Sequence, residues 1–475
     1  MNRLDGVYLA GDWIADCAGE PIEVVNPATE TGFARVSTGG GGEVDAAVKA
    51  ARAALPDWSA TSVNRRLACL ADIGAGLAAR REALAASITR EMGAPSSSVY
   101  RDQVDPVPAM LADFAHVAEA YPFERRENDT VIVREPIGVC GLITPWNFPL
   151  VQIAGKLFPA LAAGCTVVLK PSEIAPLNAL ILTEIVHDTD LPPGVFNLVN
   201  GSGAETGAAL AAHPDVDMLS LTGSTRAGAS VSAAAARSIK RITLELGGKS
   251  PYIICDDADL QASVEACVDG CFGNSGQCCD APTRMLVPTA MQWEAARIAA
   301  DAAQAYRLGD PARAETKLGP VASLAQYERV TGLIRRGVAE GARLMTGGAD
   351  RPWGLNSGYF VQPTVFAGVD NTMTIAQEEI FGPVLCILAY EDQQDAVRIA
   401  NDTRYGLAAY IATPNRDRAA CMARRLRAGQ VRMQQAAFDS LAPFGGYKMS
   451  GNGRELGPMG FEEYLETKAL IGFGN

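Results

Sequence analysis

Histidine is nearly missing from this chain: His116, His187 and His213 are the only three in 475 residues, and none lies inside a motif-like stretch. Nothing therefore marks a histidine-assisted nucleophile, although sequence distance alone leaves a Cys–His pair open. Positive charge is also short. Against 54 Asp and Glu stand 41 Lys and Arg, a net charge of −13, and a field of that sign repels a phosphate backbone, so no nucleic-acid partner is expected. Long apolar runs are absent as well: the stretch from Ile153 to Gly164 is short and interrupted by Lys156 and Pro159, which excludes a helix crossing a bilayer and predicts no membrane partner. The opening MNRLDGVYLAGDW lacks a long apolar segment with a small-residue cleavage site, so no export signal is expected. Eleven cysteines without paired spacings then fit free thiols in a reducing cytoplasm better than a disulfide framework.

What is there describes a globular chain, 48% hydrophobic and 20% charged, too long for one ordinary core and expected to form two or three domains. Residues 5 to 30 alternate apolar and polar around Gly-Asp and Asn-Pro turns, which predicts a small β meander. Helical spacing follows over Val44 to Leu55, Asn64 to Met92 and Val107 to Ala120, and the GGGG at 39 to 42 reads as a local hinge or turn. From residue 165 onward apolar strands at 165–170, 195–200, 218–223 and 241–246 alternate with helical stretches such as Pro176 to Asp188 and Arg226 to Ser238. That rhythm predicts a doubly wound α/β sheet, with ligands at the carboxyl ends of its strands, where Lys170, Gly223 and Glu245 fall. A second alternating region after Arg284 predicts another α/β domain. Its helices are expected near Thr289 to Tyr306, Ser323 to Glu340, Asp392 to Asp402 and Arg416 to Ala428, and its strands near Pro383 to Ala389, Ala408 to Ala412 and Gln430 to Gln434.

The chemistry concentrates in GQCCDAPTR, Gly276 to Arg284, and TLELGGKSP, Thr243 to Pro251. A cysteine pair on a Gly-flanked loop, with a glutamate in a Gly-Gly setting upstream, suggests a thiol nucleophile and a carboxylate that activates water. Cys279 is read as the nucleophile and Glu245 as the base. A free thiol has a pKa of about 8.5 and needs help to ionise; with histidine so scarce, Glu245 is the best base on offer. Against this stands the reading of an inert thiol, which suits Cys267 and Cys271: with Leu260, Val264 and Val268 they share one helix face. A metal site is not expected, since Cys267, Cys271, Cys278 and Cys279 match no zinc template and no histidine completes the set. TGST, Thr222 to Thr225, opens a helix whose N-terminal amides can meet a pyrophosphate, or simply is an ordinary cap. Gly201, Gly203 and Gly207 miss the dinucleotide fingerprint by one residue.

These two stretches, with TPWNFP (Thr144 to Pro149), EEIFGPV (Glu378 to Val384) and PFGGYKMSGNGRELG (Pro443 to Gly457), resemble the NAD(P)-dependent aldehyde dehydrogenase superfamily, in order and over nearly the whole chain. The resemblance implies a Rossmann-like dinucleotide-binding domain (1–122 and 142–250) and a second α/β catalytic domain (251–430). It also implies a small β oligomerisation arm (123–141 and 456–475) and a substrate loop and bridge (431–455). It implies that Asn147 holds the thiohemiacetal oxygen and that Glu455 helps activate water. Cofactor contacts are implied for Ile143, Thr144, Pro145, Trp146, Lys170, Ser172, Glu173, Gly203, Gly207, Thr222, Gly223, Ser224, Leu246, Glu379 and Phe381. The cofactor is expected to be NAD, with NADP disfavoured by the Glu173 carboxylate, and the assembly a homodimer or homotetramer.

For the substrate, Gly155 stands where many relatives place a bulky aromatic, so a roomy tunnel with Val151, Gln152, Cys278 and Phe438 is expected. Asp280 either favours a cationic aminoaldehyde or pairs locally. Gln434 replaces the family's usual asparagine and puts the local loop geometry in doubt. The expected reaction is hydrolytic oxidation of an aromatic or longer-chain aldehyde. Two rivals stay open: an acylating enzyme using coenzyme A, which typically lacks the glutamate, and a non-catalytic homologue, expected to have lost Cys279, Asn147 or Glu245.

Overall fold

The computed structural model describes residues 3–17, 19–434 and 436–474. Its first large sheet has eight strands, running in space from Gly451–Asn452 through Arg241–Glu245, Met218–Thr222, Val139–Ile143, Thr166–Lys170 and Phe196–Val199 to the hairpin Val7–Leu9 and Asp12–Trp13. The five strands between 139 and 245 are parallel, and almost every residue in them is buried on both faces. Continuous apolar strands joined by helices have no alternative but to be covered on both sides. The chain runs outward from Val139–Ile143 through Thr166–Lys170 to Phe196–Val199, then returns to place Met218–Thr222 on the other side. A crevice therefore opens between the carboxyl ends of Val139–Ile143 and Met218–Thr222, where this topology binds ligands.

The second sheet has seven strands, in the order Arg343–Thr346, Thr364–Ala367, Val384–Tyr390, Arg284–Pro288, Pro251–Ile254, Ala408–Ala412 and Gln430–Met433. All pair in parallel except Arg343–Thr346 at one edge. The stretches 124–127, 130–136 and 465–471 form a separate antiparallel sheet whose strand Glu124–Glu127 is exposed along its length. The α/β alternation read from the sequence is thus the architecture found.

Some local expectations are corrected. The predicted meander over 5–30 divides between two sheets: Val7–Leu9 and Asp12–Trp13 extend the eight-stranded sheet, while Gly19–Asn26 pairs with Thr31–Thr38 elsewhere. Alternation announces a strand but not its partner. The helix expected over Asn64 to Met92 is two, Val63–Ala79 and Arg81–Met92, broken at Arg80. No Gly or Pro marks the break; Arg80 and Arg81, which lie at it, pair with Glu184 at 2.8 Å and Asp105 at 2.6 Å. The glycine run is no hinge at its second half, because Gly41 and Gly42 open the helix Gly41–Ser59, with Glu43 accepting from the Gly40 N–H at 2.8 Å. The helix expected over Arg416 to Ala428 stops at Ala423.

Candidate active site

Asn147 lies on the turn between strand Val139–Ile143 and helix Pro149–Ala163, which Pro149 opens with a φ already suited to the first turn. Glu245 is the last residue of strand Arg241–Glu245. Cys279 follows helix Leu260–Phe272 through a left-handed turn, with positive φ at Asn274, Ser275 and Gly276. Gly276 has no substitute there, since a Cβ would lie 2.1 Å from the Gly382 carbonyl carbon. The turn is fastened to Asn147: the Asn147 amide donates to the Gln277 carbonyl at 3.0 Å, and the Asn274 amide donates to the Asn147 carbonyl at 2.8 Å. The Gly-Gly after Glu245 allows close approach of backbones. A Cβ on Gly248 would sit 2.3 Å from the Cys279 carbonyl oxygen, and one on Gly247 would sit 2.2 Å from the Glu379 carboxylate.

These elements enclose a cavity of about 580 Å³ lined by Cys279, Glu245, Asn147, Pro145, Trp146, Thr222, Gly223, Ser224, Leu246, Glu379 and Phe381. It opens at the crevice of the eight-stranded sheet and is closed from the other side by the segment 378–381. Trp146 and Phe381 meet edge to face at 5.4 Å between ring centres, and Glu379 accepts from the Gly248 N–H at 3.0 Å. Burial pushes the Glu379 carboxyl up to about 7, with the Gly248 N–H and Arg329 opposing it.

The electrostatics around the thiol are unfavourable to its ionisation. Cys278 acts as a hydrogen-bonding neighbour that favours the Cys279 thiolate, but burial and the Asp280, Glu245 and Glu379 carboxylates outweigh it and hold the thiol above its ordinary range. Burial, reinforced by Glu455, pushes the Glu245 carboxyl well up, and Lys156 and Arg454 only partly compensate. Both Glu245 oxygens are buried without a hydrogen-bond partner in the protein. A buried carboxylate without donors takes up a proton or a water molecule.

The remaining sequence-selected residues lie outside this cavity. Lys170 and Glu173 form an ion pair at 3.0 Å, with the Gly203 N–H 3.5 Å from Glu173 and Gly207 against the Lys170 side chain. Burial alone would raise the Glu173 carboxyl, yet Lys170 and backbone donors hold it below the usual carboxylate range. Ser172 is occupied in a turn, accepting from the Ile174 N–H at 3.2 Å. Ile143 and Thr144 are buried at the strand end, where the Thr144 N–H donates to the Lys170 carbonyl at 3.1 Å. The hydroxyls of Thr144 and Thr222 are buried and unpartnered, and they flank the crevice. Ser224 caps helix Thr225–Ala235 through the Ala227 N–H at 3.2 Å.

Glu455 sits behind Glu245, paired with the fully buried Lys156. Val151 and Gln152 are half-buried on helix Pro149–Ala163. A Cβ on Gly155 would face Met110 at 3.6 Å, Glu455 at 3.8 Å and Leu456 at 4.0 Å. Asp280 pairs with Arg432 at 3.1 Å, far along the chain, and accepts from the nearby Cys278 thiol at 2.8 Å. Gln434 accepts from the Ser263 hydroxyl at 2.8 Å, and Phe438 is half exposed. Among the described residues no cluster of His, Cys, Asp and Glu could hold a metal ion. Sequence reasoning missed Gln326, Arg329, Arg404 and Lys156. Gln326 donates to the Phe381 carbonyl at 2.7 Å, Arg329 to the Glu379 carbonyl at 2.5 Å, and Arg404 to Glu378 at 2.8 Å. They brace the 378–381 segment from distant positions and carry no local signal.

A sequence model described as the aldehyde dehydrogenase family matches residues 13–470. The chain is 51% identical to a Pseudomonas protein named 3-succinoylsemialdehyde-pyridine dehydrogenase, over 98% of each chain. It superposes with a TM-score of 0.98 on aldehyde dehydrogenase C from Pseudomonas syringae, a mutant solved with NAD⁺ and octanal; the two are 51% identical, and the match covers 99% of this chain and 97% of the other. An aldehyde dehydrogenase from Mycobacterium tuberculosis complexed with NAD⁺ gives a TM-score of 0.96 at 40% identity, over 99% and 98% of the two chains.

Proposed function

The chain belongs to the aldehyde dehydrogenase family, and from that premise we propose that it oxidises an aldehyde to a carboxylic acid with NAD⁺. The observation that carries this is the convergence of Cys279, Asn147 and Glu245 on one cavity that opens at the crevice of the parallel sheet. The site fits the cofactor: orphaned hydroxyls of Thr144 and Thr222 flank the crevice, and the Lys170–Glu173 pair offers hydrogen bonds for a ribose. Bound there, NAD⁺ would supply the hydride acceptor.

The chain's own residues do the rest. The Cys279 sulfur adds to the carbonyl carbon, and the thiol proton leaves to a neighbouring base. The Asn147 amide has one N–H on the Gln277 carbonyl and a second to offer the oxyanion. After hydride loss the substrate is a thioester on Cys279. Glu245 removes a proton from water, whose oxygen attacks the thioester carbon; the C–S bond breaks, the acid is freed and Cys279 leaves as thiolate. The assay that tests the reading follows NADH formation over an aldehyde panel, with and without coenzyme A. Turnover that requires coenzyme A would replace hydrolysis by acyl transfer, and no NADH with any aldehyde would remove the activity altogether.

Glu173 is held as a carboxylate at neutral pH, which accepts ribose hydroxyls and repels a 2′-phosphate. NAD⁺ should therefore be used with the higher kcat/KM, with Lys170 at 3.0 Å softening the preference short of exclusion. An equal or higher value with NADP⁺ would refute this.

The substrate is proposed to be an aromatic or longer-chain aldehyde. Asp280 is paired with Arg432 and so offers no free charge to an aminoaldehyde, and one relative was solved with octanal while another is named for a pyridyl semialdehyde. Each well-buried methylene should improve selectivity by about 1–3 kcal/mol. We expect octanal and a benzaldehyde to exceed acetaldehyde and an aminobutyraldehyde in kcat/KM by at least about tenfold; acetaldehyde equal to the bulky substrates would sink the proposal.

A further inference from the structure

The turn that bears Cys279 is joined to Phe438 and, through Gln430, to Pro443 by one guanidinium. Arg432, on the edge strand Gln430–Met433, places Nη1 3.1 Å from Asp280 Oδ2. Its Nη2 donates to Gln430 Oε1 at 2.5 Å, and Gln430 in turn donates to the Pro443 carbonyl at 3.0 Å. The rings of Phe438 and Tyr410 lie 5.7 and 5.8 Å from the guanidinium carbon. On the other side of the ion pair, Asp280 Oδ1 accepts from the Cys278 thiol at 2.8 Å, and Oδ2 receives the Tyr410 hydroxyl at 3.4 Å. Both oxygens of Asp280 are thus engaged.

We propose that Arg432 is a positioning residue for the nucleophile: by neutralising Asp280 it lets that carboxylate orient Cys278 without setting an uncompensated negative charge beside the Cys279 sulfur. This rests on the reading of Cys279 as the nucleophile.

The charge balance makes the role necessary. Facing Cys279 are Asp280 and Cys278 on its own turn, Glu245 at the end of its strand and Glu379 on the closing segment. Arg432 and Tyr410 face the same pair of cysteines from the two neighbouring strands of the second sheet. Within this set Asp280 is the carboxylate on the nucleophile's own turn, and Arg432 is the cation that pairs with it. The Arg432 and Asp280 side chains are only 20% and 14% exposed, so solvent and salt screen the pair weakly. A thiol already disfavoured as a thiolate would be disfavoured further if Asp280 lost its partner.

The test measures alkylation of Cys279 in the native protein by iodoacetamide over a pH series, resolved by peptide mass, with activity followed in parallel. Alkylation at Cys279 that leaves activity intact would remove the nucleophile assignment itself, independently of Arg432. With that assignment standing, Arg432→Gln should move the pH midpoint of alkylation up by roughly one unit. Arg432→Lys should restore most of the shift, and the Asp280→Asn/Arg432→Gln double variant should return close to the unsubstituted protein. An unmoved midpoint in Arg432→Gln overturns the proposal, as does a Lys variant or a double variant shifted as far as Arg432→Gln. Should Arg432→Gln fail to fold, Asp280→Asn alone decides: its midpoint should fall, because Arg432 is then unopposed, and a midpoint that stays or rises overturns the proposal.

Discussion

Cys279→Ala is expected to lower aldehyde oxidation by about four orders of magnitude or more, the scale on which an enzyme loses its nucleophile, while Cys278→Ala retains most of the activity. The two thiols adjoin in sequence but face different chemistry. Cys279 lines the cavity with Glu245 and Asn147, and its turn is fastened so that Asn147 lies beside it. Cys278 lies 2.8 Å from Asp280 Oδ1, and its thiol is raised by the neighbouring Cys279, by burial and by the Asp280 carboxylate. Losing it removes one weak donor next to the nucleophile and leaves the oxyanion and water positions in place. Steady-state NADH formation with a good aldehyde measures both variants. Comparable losses in the two would unseat the assignment, and a loss confined to Cys278→Ala would reverse it.

How far the site was legible depends on whether a residue's role is written in its neighbours. Glu245 and Asn147 terminate parallel strands or follow them directly, and strand ends can be read from apolar runs that stop at Gly or Pro. The Gly-Gly after Glu245 and the Gly before the cysteines were visible as glycines, and the structure adds what they admit: the Glu379 carboxylate, the Cys279 carbonyl and the Gly382 backbone. That ligands meet the carboxyl ends of the strands followed from strand–helix alternation, while the crevice between two particular strands needed the strand order. Other features had no local trace. Arg432 sits on an edge strand in QVRM, which reads as any exposed strand cation, and only the sheet order brings it to Asp280. Lys156 interrupts an apolar helix, and the sequence could say that it needed a partner but not that Glu455, from the far end of the chain, supplies it. The break at Arg80 is the same case on the level of fold, because no helix-breaking residue marks it. Pairings over long sequence separation are fixed by tertiary geometry, which periodicity does not encode.

Glu245→Gln should separate the two halves of the reaction. The amide keeps the size of the side chain but cannot take a proton from water, so thioester hydrolysis should slow by about 10²- to 10⁴-fold, the usual worth of a general base. Hydride transfer needs only the thiohemiacetal and should persist. Rapid mixing is therefore expected to give a stoichiometric burst of NADH followed by slow turnover, with acyl-enzyme visible by mass on the Cys279 peptide. The pH dependence adds a sign. Burial and Glu455 raise the Glu245 carboxyl well above its ordinary value, so it is largely protonated until the pH rises through that elevated value. Only the ionised form can accept the proton of water. Deacylation in the unsubstituted protein should accordingly climb with pH above the ordinary carboxylate range, and Glu245→Gln should flatten that climb. If instead the burst vanishes together with turnover, Glu245 acts before the hydride leaves, as the base that takes the proton of the Cys279 thiol. That outcome would fit a thiol surrounded by carboxylates and lacking a histidine, and it would move the same residue from the second half-reaction to the first.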